Sequence, residues 1–269
     1  MTGRWMEPSL SRYSRVLVTG GAGFIGSHIV DYLVERGVEV VVLDNLWSGR
    51  LENIRHHMGR KGFKFLEGDI RDRGVVREAL KDVDAVFHEA AIVSVDYSVE
   101  HPEVTHEVNC DATLNLLKAS LDSGVERFIY ASSIAVVGEA VDLPVKETHP
   151  TNPLSPYGVT KLAGEHLCHL YHVNFGVPTI SLRYFTVYGP LGRPDMSVWK
   201  FTEAMLRDQP ITVFGDGTQS RGFTHVDDVV EANIRAANSR YTDTAFNVGG
   251  AGSATVNELI AMIEDILGK

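Results

Sequence analysis

The sequence predicts an α/β fold: a doubly wound parallel sheet followed by a smaller C-terminal lobe. Three observations carry that prediction. Short apolar runs rich in Val and Ile alternate with helical stretches up to residue 183, and parallel strands buried on both faces read as such continuous runs. A glycine-rich turn joins the first run to the first helical stretch. Beyond residue 183 the segments shorten and fill with Gly and Pro, as in Tyr188-Gly189-Pro190 and Phe214-Gly215-Asp216-Gly217.

The elements follow in order. Residues 1–14 lack the apolar core of a signal peptide and read as a disordered lead-in. Arg15–Thr19 is the first strand, and a helix is expected over 24–36. The run VEVVVL at 38–43 is too β-branched for a helix and is the second strand. Strands three and four fall at 63–66 and 85–88, a long helix at 102–123, and strand five at 127–131. A loop rich in Pro and Asn leads into a helix over 157–175, and 177–182 is strand six. Residues 15–183 therefore form one domain, and 184–269 form a lobe with helices over 198–207, 226–239 and 256–267.

Composition narrows the partners. The net charge of −10 argues against a nucleic-acid backbone as ligand. No apolar run reaches the roughly 18 residues of a membrane span. Cys110 and Cys168 both fall in predicted helices and read as reduced, buried thiols, which fits a cytoplasmic protein. Arg55-His56-His57 and Arg60-Lys61 read as a solvated basic loop. His88, His106, His149, His169, His172 and His225 show no ligand spacing, so no metal is expected.

The turn after strand one reads Thr19-Gly20-Gly21-Ala22-Gly23-Phe24-Ile25-Gly26. Glycines at 20, 23 and 26 allow a tight turn and a close approach of backbone to a pyrophosphate, which the free N–H groups of the next helix would hold. This is the fingerprint of a Rossmann-type dinucleotide site. Asp44 closes strand two, 18 residues after Gly26. A carboxylate there accepts from the adenosine ribose and repels a 2′-phosphate, which selects NAD over NADP. Asp69 and Ile70 after strand three are placed to reach the adenine, and Ala90 and Ala91 after strand four are small where a cofactor would pass.

Tyr157 and Lys161 stand four residues apart, hence on one helix face. A neighbouring ammonium favours phenolate over phenol, so the pair reads as an acid/base unit. Ser132 and Ser133 end strand five, with Ser133 placed 24 residues before Tyr157 to hold a substrate oxygen.

The motifs TGGAGFIGSH (19–28), LDNL (43–46), GDI (68–70), HEAA (88–91), ASSIAVVG (131–138), SPYGVTK (155–161), LRYFTVYGP (182–190), GDGTQSRGFTHVDD (215–228) and FNVGG (246–250) jointly resemble the NAD-dependent nucleotide-sugar epimerases and dehydratases, which are extended short-chain dehydrogenase/reductases. The resemblance covers residues 15–269. It implies that Tyr157 is the base, that Lys161 binds the nicotinamide ribose, and that Ser133 is the substrate-side hydroxyl. It also implies NAD contacts from Gly20, Gly23, Phe24, Ile25, Gly26, Asp44, Asn45, Ser48, Gly49, Asp69, Ile70, Ala90, Ala91, Tyr157, Lys161, Tyr184 and Phe185.

Dehydratases and decarboxylases of this family carry an acidic residue just after the catalytic hydroxyl residue. Here Ile134 and Ala135 stand there, which favours C4 epimerisation of a UDP-sugar through a 4-keto intermediate. The alternatives are a non-catalytic NAD-binding regulatory protein and a net keto-sugar reductase. The resemblance makes Arg221 a phosphate ligand. Thr186 and Arg193 would meet a C6 carboxylate, so UDP-hexose and UDP-hexuronate both stay open as substrates. Three departures stand out. Val137 replaces a tyrosine, Gly222 replaces an aspartate, and the family commonly continues past the helix that ends this chain, so that either the sequence is truncated there or the substrate site is abbreviated or built differently. Similar proteins pair two helices across a two-fold axis, here 102–123 and 157–175, which implies a homodimer.

Overall fold

The computed structural model describes residues 12–250 and 252–269, so most of the lead-in at 1–14 lies outside the described residues. Its described end is ordered: Tyr13 is buried and its hydroxyl donates to Ala237 O at 2.7 Å.

Strand β1 (Arg15–Thr19) leads through the glycine turn into α1 (Phe24–Glu35), and β2 (Glu39–Asp44) returns beside it. Next come β3 (Phe63–Glu67), α2 (Arg73–Ala79), β4 (Ala85–His88), α3 (Val95–Glu100) and α4 (Pro102–His106). A π-helical turn at 107–111 joins α4 to α5 (Ala112–Asp122), so the helix expected over 102–123 is interrupted in its middle. Then follow β5 (Arg127–Ser133), α6 (Pro156–Phe175) and β6 (Thr179–Tyr184). The lobe contributes β7 (Thr186–Tyr188), α7 (Ser197–Leu206), β8 (Ser220–His225), α8 (Val226–Asn238), β9 (Thr244–Val248), β10 (Ser253–Thr255) and α9 (Val256–Leu267).

The main sheet has seven parallel strands in the order β3-β2-β1-β4-β5-β6-β9. Its order reverses between β1 and β4, the switch point outside whose strand ends ligands bind in open α/β sheets. Both faces are covered. Ile29, Val30 and Leu33 of α1 and Val229, Ile234 and Ala237 of α8 pack on one face. Leu116 and Leu117 of α5 and Cys168 and Tyr171 of α6 pack on the other.

A cut at residue 183 does not follow the packing. β9 pairs with β6 in register Leu182↔Phe246, and α8 lies beside α1, so chain from the expected lobe completes the sheet. The lobe proper is the small sheet β10-β8-β7 and the pair α7 and α9, joined by Phe201, Met205, Leu259 and Ile263.

Candidate active site

The glycine turn is built by close approach. Gly20 has φ of 68°, and a Cβ there would stand 2.7 Å from Ala90 N, so the turn lies against the segment that follows β4. A Cβ at Gly26 would meet Gly20 O at 2.2 Å, so only glycine lets α1 start this close to the turn. Gly23 caps α1 with no side-chain bond and the first helical turn has no acidic residue, which leaves an N-terminus suited to an anion.

Asp44 is buried at the end of β2. Its Oδ2 accepts from Ala22 N at 3.0 Å and its Oδ1 from Leu46 N at 2.8 Å. Burial raises its carboxyl above the usual range, while the two N–H donors pull it back. Asn45 Nδ2 donates to Asp69 Oδ2 at 2.9 Å, and Arg71 clamps Asp69, holding that carboxyl down at about 2. Asp69 is thus an ionised brace for Asn45 at the strand ends. Ile70 is buried, and Phe24, Ile25, Gly49, Ala90 and Ala91 are half-buried around the same rim, with Ser48 exposed.

The candidate catalytic side chains Ser133, Tyr157 and Lys161 meet where β5 ends and α6 begins. Ser155 caps α6, its Oγ accepting from Gly158 N at 3.1 Å, and Pro156 fills the first helical position, where no N–H is needed. Tyr157 N donates to Ser98 Oγ at 3.1 Å. Ser133 Oγ accepts from Ala135 N at 3.2 Å, and Ser133 lies close enough to Tyr157 to pull its phenol down. Lys161 is 3% exposed, and its Nζ donates to Ala131 O at 2.7 Å. A Cβ at Gly164 would fall 2.0 Å from the Tyr130 hydroxyl, so this glycine sets how closely α6 rests on β5.

The electrostatics differ from the sequence expectation. Burial raises the Tyr157 phenol, and Glu89 adds to the rise, while Ser133 and the Arg193 guanidinium work against it. Burial also lowers Lys161 to about 8, opposed by Glu89. Desolvation of the phenol is the largest influence and, with Glu89, outweighs Ser133 and Arg193 together.

Four side chains with no role expected from the sequence, Glu89, Asn233, Asn109 and His88, pack around this cluster. Glu89 sits inside the HEAA motif. Burial lifts its carboxyl to about 7, against the pull of Tyr184 and Lys161. Tyr184 Oη donates to Glu89 Oε1 at 2.8 Å and accepts from Asn233 Nδ2 at 2.7 Å, linking β4, β6 and α8. Asn109 lies in the π-helical turn and is 1% exposed. It holds both backbone groups of Ile92 and donates to Thr160 Oγ1 at 3.0 Å, which fixes the turn of α6 carrying Tyr157. Its signal was the Asn inside an otherwise amphipathic helix. His88, also in the motif, lies between Thr19 Oγ1 and Thr113 Oγ1 and is held neutral by burial, down at about 3.

The substrate-side residues fall in two places. Arg193 pairs with Asp195 through two hydrogen bonds, and its charge reaches Tyr157. Thr186 is half-buried on β7, paired with Phe223. Arg221 lies exposed on β8, where its Nη1 donates to Ser220 O of its own strand at 2.8 Å. Gly222 has a steric role: a Cβ there would stand 3.3 Å from the ring of Phe185, which also rests on Gly249. Val137 is buried, so it takes no place on the site surface.

The sequence profile of the NAD dependent epimerase/dehydratase family matches residues 16–249. Solved structures agree in fold. UDP-glucuronic acid 4-epimerase from Bacillus cereus, in complex with UDP-glucuronic acid and NAD, is 40% identical with a TM-score of 0.90, covering 95% of this chain and 83% of its own. UDP-glucose 4-epimerase from Thermotoga maritima with UDP-glucose is 39% identical with a TM-score of 0.89, covering 94% and 82%. UDP-N-acetylglucosamine 4-epimerase from Methanobrevibacter ruminantium, in complex with UDP-N-acetylmuramic acid, is 37% identical with a TM-score of 0.91, covering 95% and 83%. The glycine turn, Asp44 and the Tyr157–Ser133–Lys161 cluster thus sit in a chain that belongs to the NAD-dependent epimerase/dehydratase family.

Proposed function

We propose that this chain is an NAD-dependent UDP-sugar 4-epimerase. The observation that carries the reading is the gathering of Tyr157, Ser133 and buried Lys161 where β5 meets α6, with Lys161 Nζ held by Ala131 O and with Ile134 and Ala135 following Ser133. A Tyr–Ser pair can take and return one proton, and the two apolar residues offer no further acid or base for elimination.

NAD would lie across the strand ends, its pyrophosphate on the α1 N-terminus, its adenosine ribose at Asp44, and its nicotinamide near Tyr157 and Lys161. When bound, it supplies a hydride acceptor and donor at C4. Ser133 would hold the sugar O4, and Tyr157 Oη would take the O4 proton. The positive nicotinamide, Ser133 and Arg193 all favour the phenolate against the burial that opposes it. The 4-keto sugar would turn over in the site, and Tyr157 would return the proton to O4. Such a cycle leaves no net reduced cofactor, which separates it from keto-sugar reduction and from NAD binding without turnover.

Arg193 makes UDP-glucuronate the first substrate to test, because its charge lies within reach of Tyr157. Asp195 would have to share that guanidinium with a C6 carboxylate. The neutral reading is UDP-glucose, with Arg193 left on Asp195. Incubation with UDP-glucuronate, UDP-glucose and UDP-N-acetylglucosamine, with product sugars separated and NADH followed at once, decides among them. Interconversion of one pair without net NADH supports the proposal, and NAD binding with no turnover of any sugar refutes it.

The assembly we infer is a homodimer through the outer faces of α5 and α6. Leu114 on α5 and Val159, Leu170 and Val173 on α6 are exposed apolar side chains on neighbouring helices. A monomer in sedimentation at micromolar concentration would refute this. The two cysteines are free and buried, in keeping with the reducing cytoplasm where we place the enzyme. No helix among the described residues is long and apolar enough to cross a membrane.

A further inference from the structure

Among the described residues, one group of three metal-ligating side chains converges away from the catalytic cluster. Asp31 lies on α1, and His56 and His57 lie on a short 3₁₀ turn at 55–57. The sequence reading placed His56 and His57 in a solvated loop. The structure instead buries His57, at 1% exposed, against the ring of Phe63, and leaves His56 about half exposed. Both Nε2 atoms point at the same carboxylate oxygen. His57 Nε2 is 2.6 Å and His56 Nε2 2.9 Å from Asp31 Oδ1.

We propose that Asp31, His56 and His57 form a site for one divalent transition-metal ion of the zinc, cobalt or nickel class. The ligand set decides the class: two imidazoles and one carboxylate suit these ions and are poor ligands for magnesium or calcium. The geometry is close to what such an ion needs. Metal–ligand bonds of about 2.0–2.1 Å at a tetrahedral angle separate neighbouring ligand atoms by about 3.4 Å. The two Nε2–Oδ1 distances would therefore open by about 0.5 and 0.8 Å. Asp31 and His56 have solvent on one side to make that movement, and the buried His57 anchors it. The fourth position then faces water on the exposed side of His56. The neighbouring cation Arg55 is drawn onto Glu52 at 2.9 Å, which reduces its repulsion toward the ion.

The ion would fasten α1 to the 3₁₀ turn at 55–57, which follows β2 and Asp44. The segment just before that turn holds the glycine turn, since Arg50 N and Asn53 Nδ2 both donate to Ala22 O at 2.9 Å. The role is structural. Among the described residues His57 Nδ1 has no hydrogen-bond partner; it is a bare acceptor when Nε2 donates to Asp31 and a buried N–H without an acceptor when Nε2 ligates an ion, which weakens the site.

Two imidazole N–H groups sharing one carboxylate would fill the same geometry without an ion, and an experiment separates the two. Purified protein is stripped with a chelator and titrated with Co²⁺ in phosphate-free buffer, followed by visible d–d absorption, and then with Zn²⁺, followed by thermal melting. The expected result is one Co²⁺ per chain with bands of low coordination number, and a Zn²⁺-dependent rise in Tm. His56→Ala and Asp31→Asn should each weaken Co²⁺ binding at least tenfold and lose the Tm response, with NAD binding and circular dichroism unchanged. His56→Gln, which keeps a polar side chain of similar reach, replaces His56→Ala if that variant does not fold. No Co²⁺ bound by wild type, or equal binding by wild type and variants, would overturn the proposal.

Discussion

Glu89→Gln tests how the buried network beside Lys161 is charged. Holding the Glu89 carboxyl at about 7 in place of the usual 4.5 corresponds to about 3 kcal/mol between its two protonation states. The sign follows from the direction. A carboxyl raised in the folded state binds its proton more tightly there than in the unfolded chain. Folding stability is then highest below pH about 4.5 and falls as pH rises towards 7. Lys161, lowered to about 8, stays mainly protonated in both states over most of that window. Glu89 keeps a partly exposed edge, so about 3 kcal/mol is an upper limit on the loss.

In Glu89→Gln the titrating group is gone. Gln can still accept the Tyr184 O–H, so the chain Asn233–Tyr184–89 survives. Lys161 also loses the neighbour that raises it, so the variant's stability should stay level or rise over the same window. The assay is urea unfolding at pH 5 and pH 7.5, with protein and NAD concentrations fixed. Wild type should lose roughly 1–3 kcal/mol between the two pH values relative to the variant. Equal pH dependence of the two proteins would show that Glu89 is not held protonated, and the charge assignment of this network would fall.

Three further outcomes are expected. Gly164→Ala drives a Cβ into the Tyr130 hydroxyl and should cost about 1–3 kcal/mol by overpacking, read as a lowered Tm, together with reduced turnover as α6 shifts Tyr157; an unchanged Tm would refute the contact. Asp44→Asn removes the charge at the ribose position and should weaken NAD binding about 10- to 100-fold, while narrowing the preference against NADP, in a fluorescence titration. Arg193→Ala should raise KM for UDP-glucuronate at least tenfold more than for UDP-glucose if Arg193 meets a carboxylate, and equal effects would reject that role.

What the sequence makes legible is local. The glycine turn, Asp44 at the end of β2, and the capped helix with Tyr157 and Lys161 are each set by neighbours within a few residues, and they stand where the pattern placed them. What it hides is long-range. β9 reads as loop because its five residues carry only half-buried side chains and Val248, and it becomes a strand by pairing with β6. Glu89 looks like a surface acid until Tyr184 and Asn233, 95 and 144 positions away in sequence, close around it. His57 looks solvated until Asp31 from α1 meets it. The direction of the Tyr157 shift also needed the fold, because burial depends on what covers the phenol rather than on the residue one turn away. Gly222, which reads as a lost aspartate, is explained only by the ring of Phe185 against it.

The measurement closest to the central claim is sugar interconversion by wild type and Tyr157→Phe, with bound NAD confirmed in both. Wild type should interconvert the C4 epimers of one UDP-sugar with no net NADH. Tyr157→Phe should keep NAD and lose turnover by about 10²-fold or more. Full activity in the variant would contradict the assignment of Tyr157 as the proton carrier.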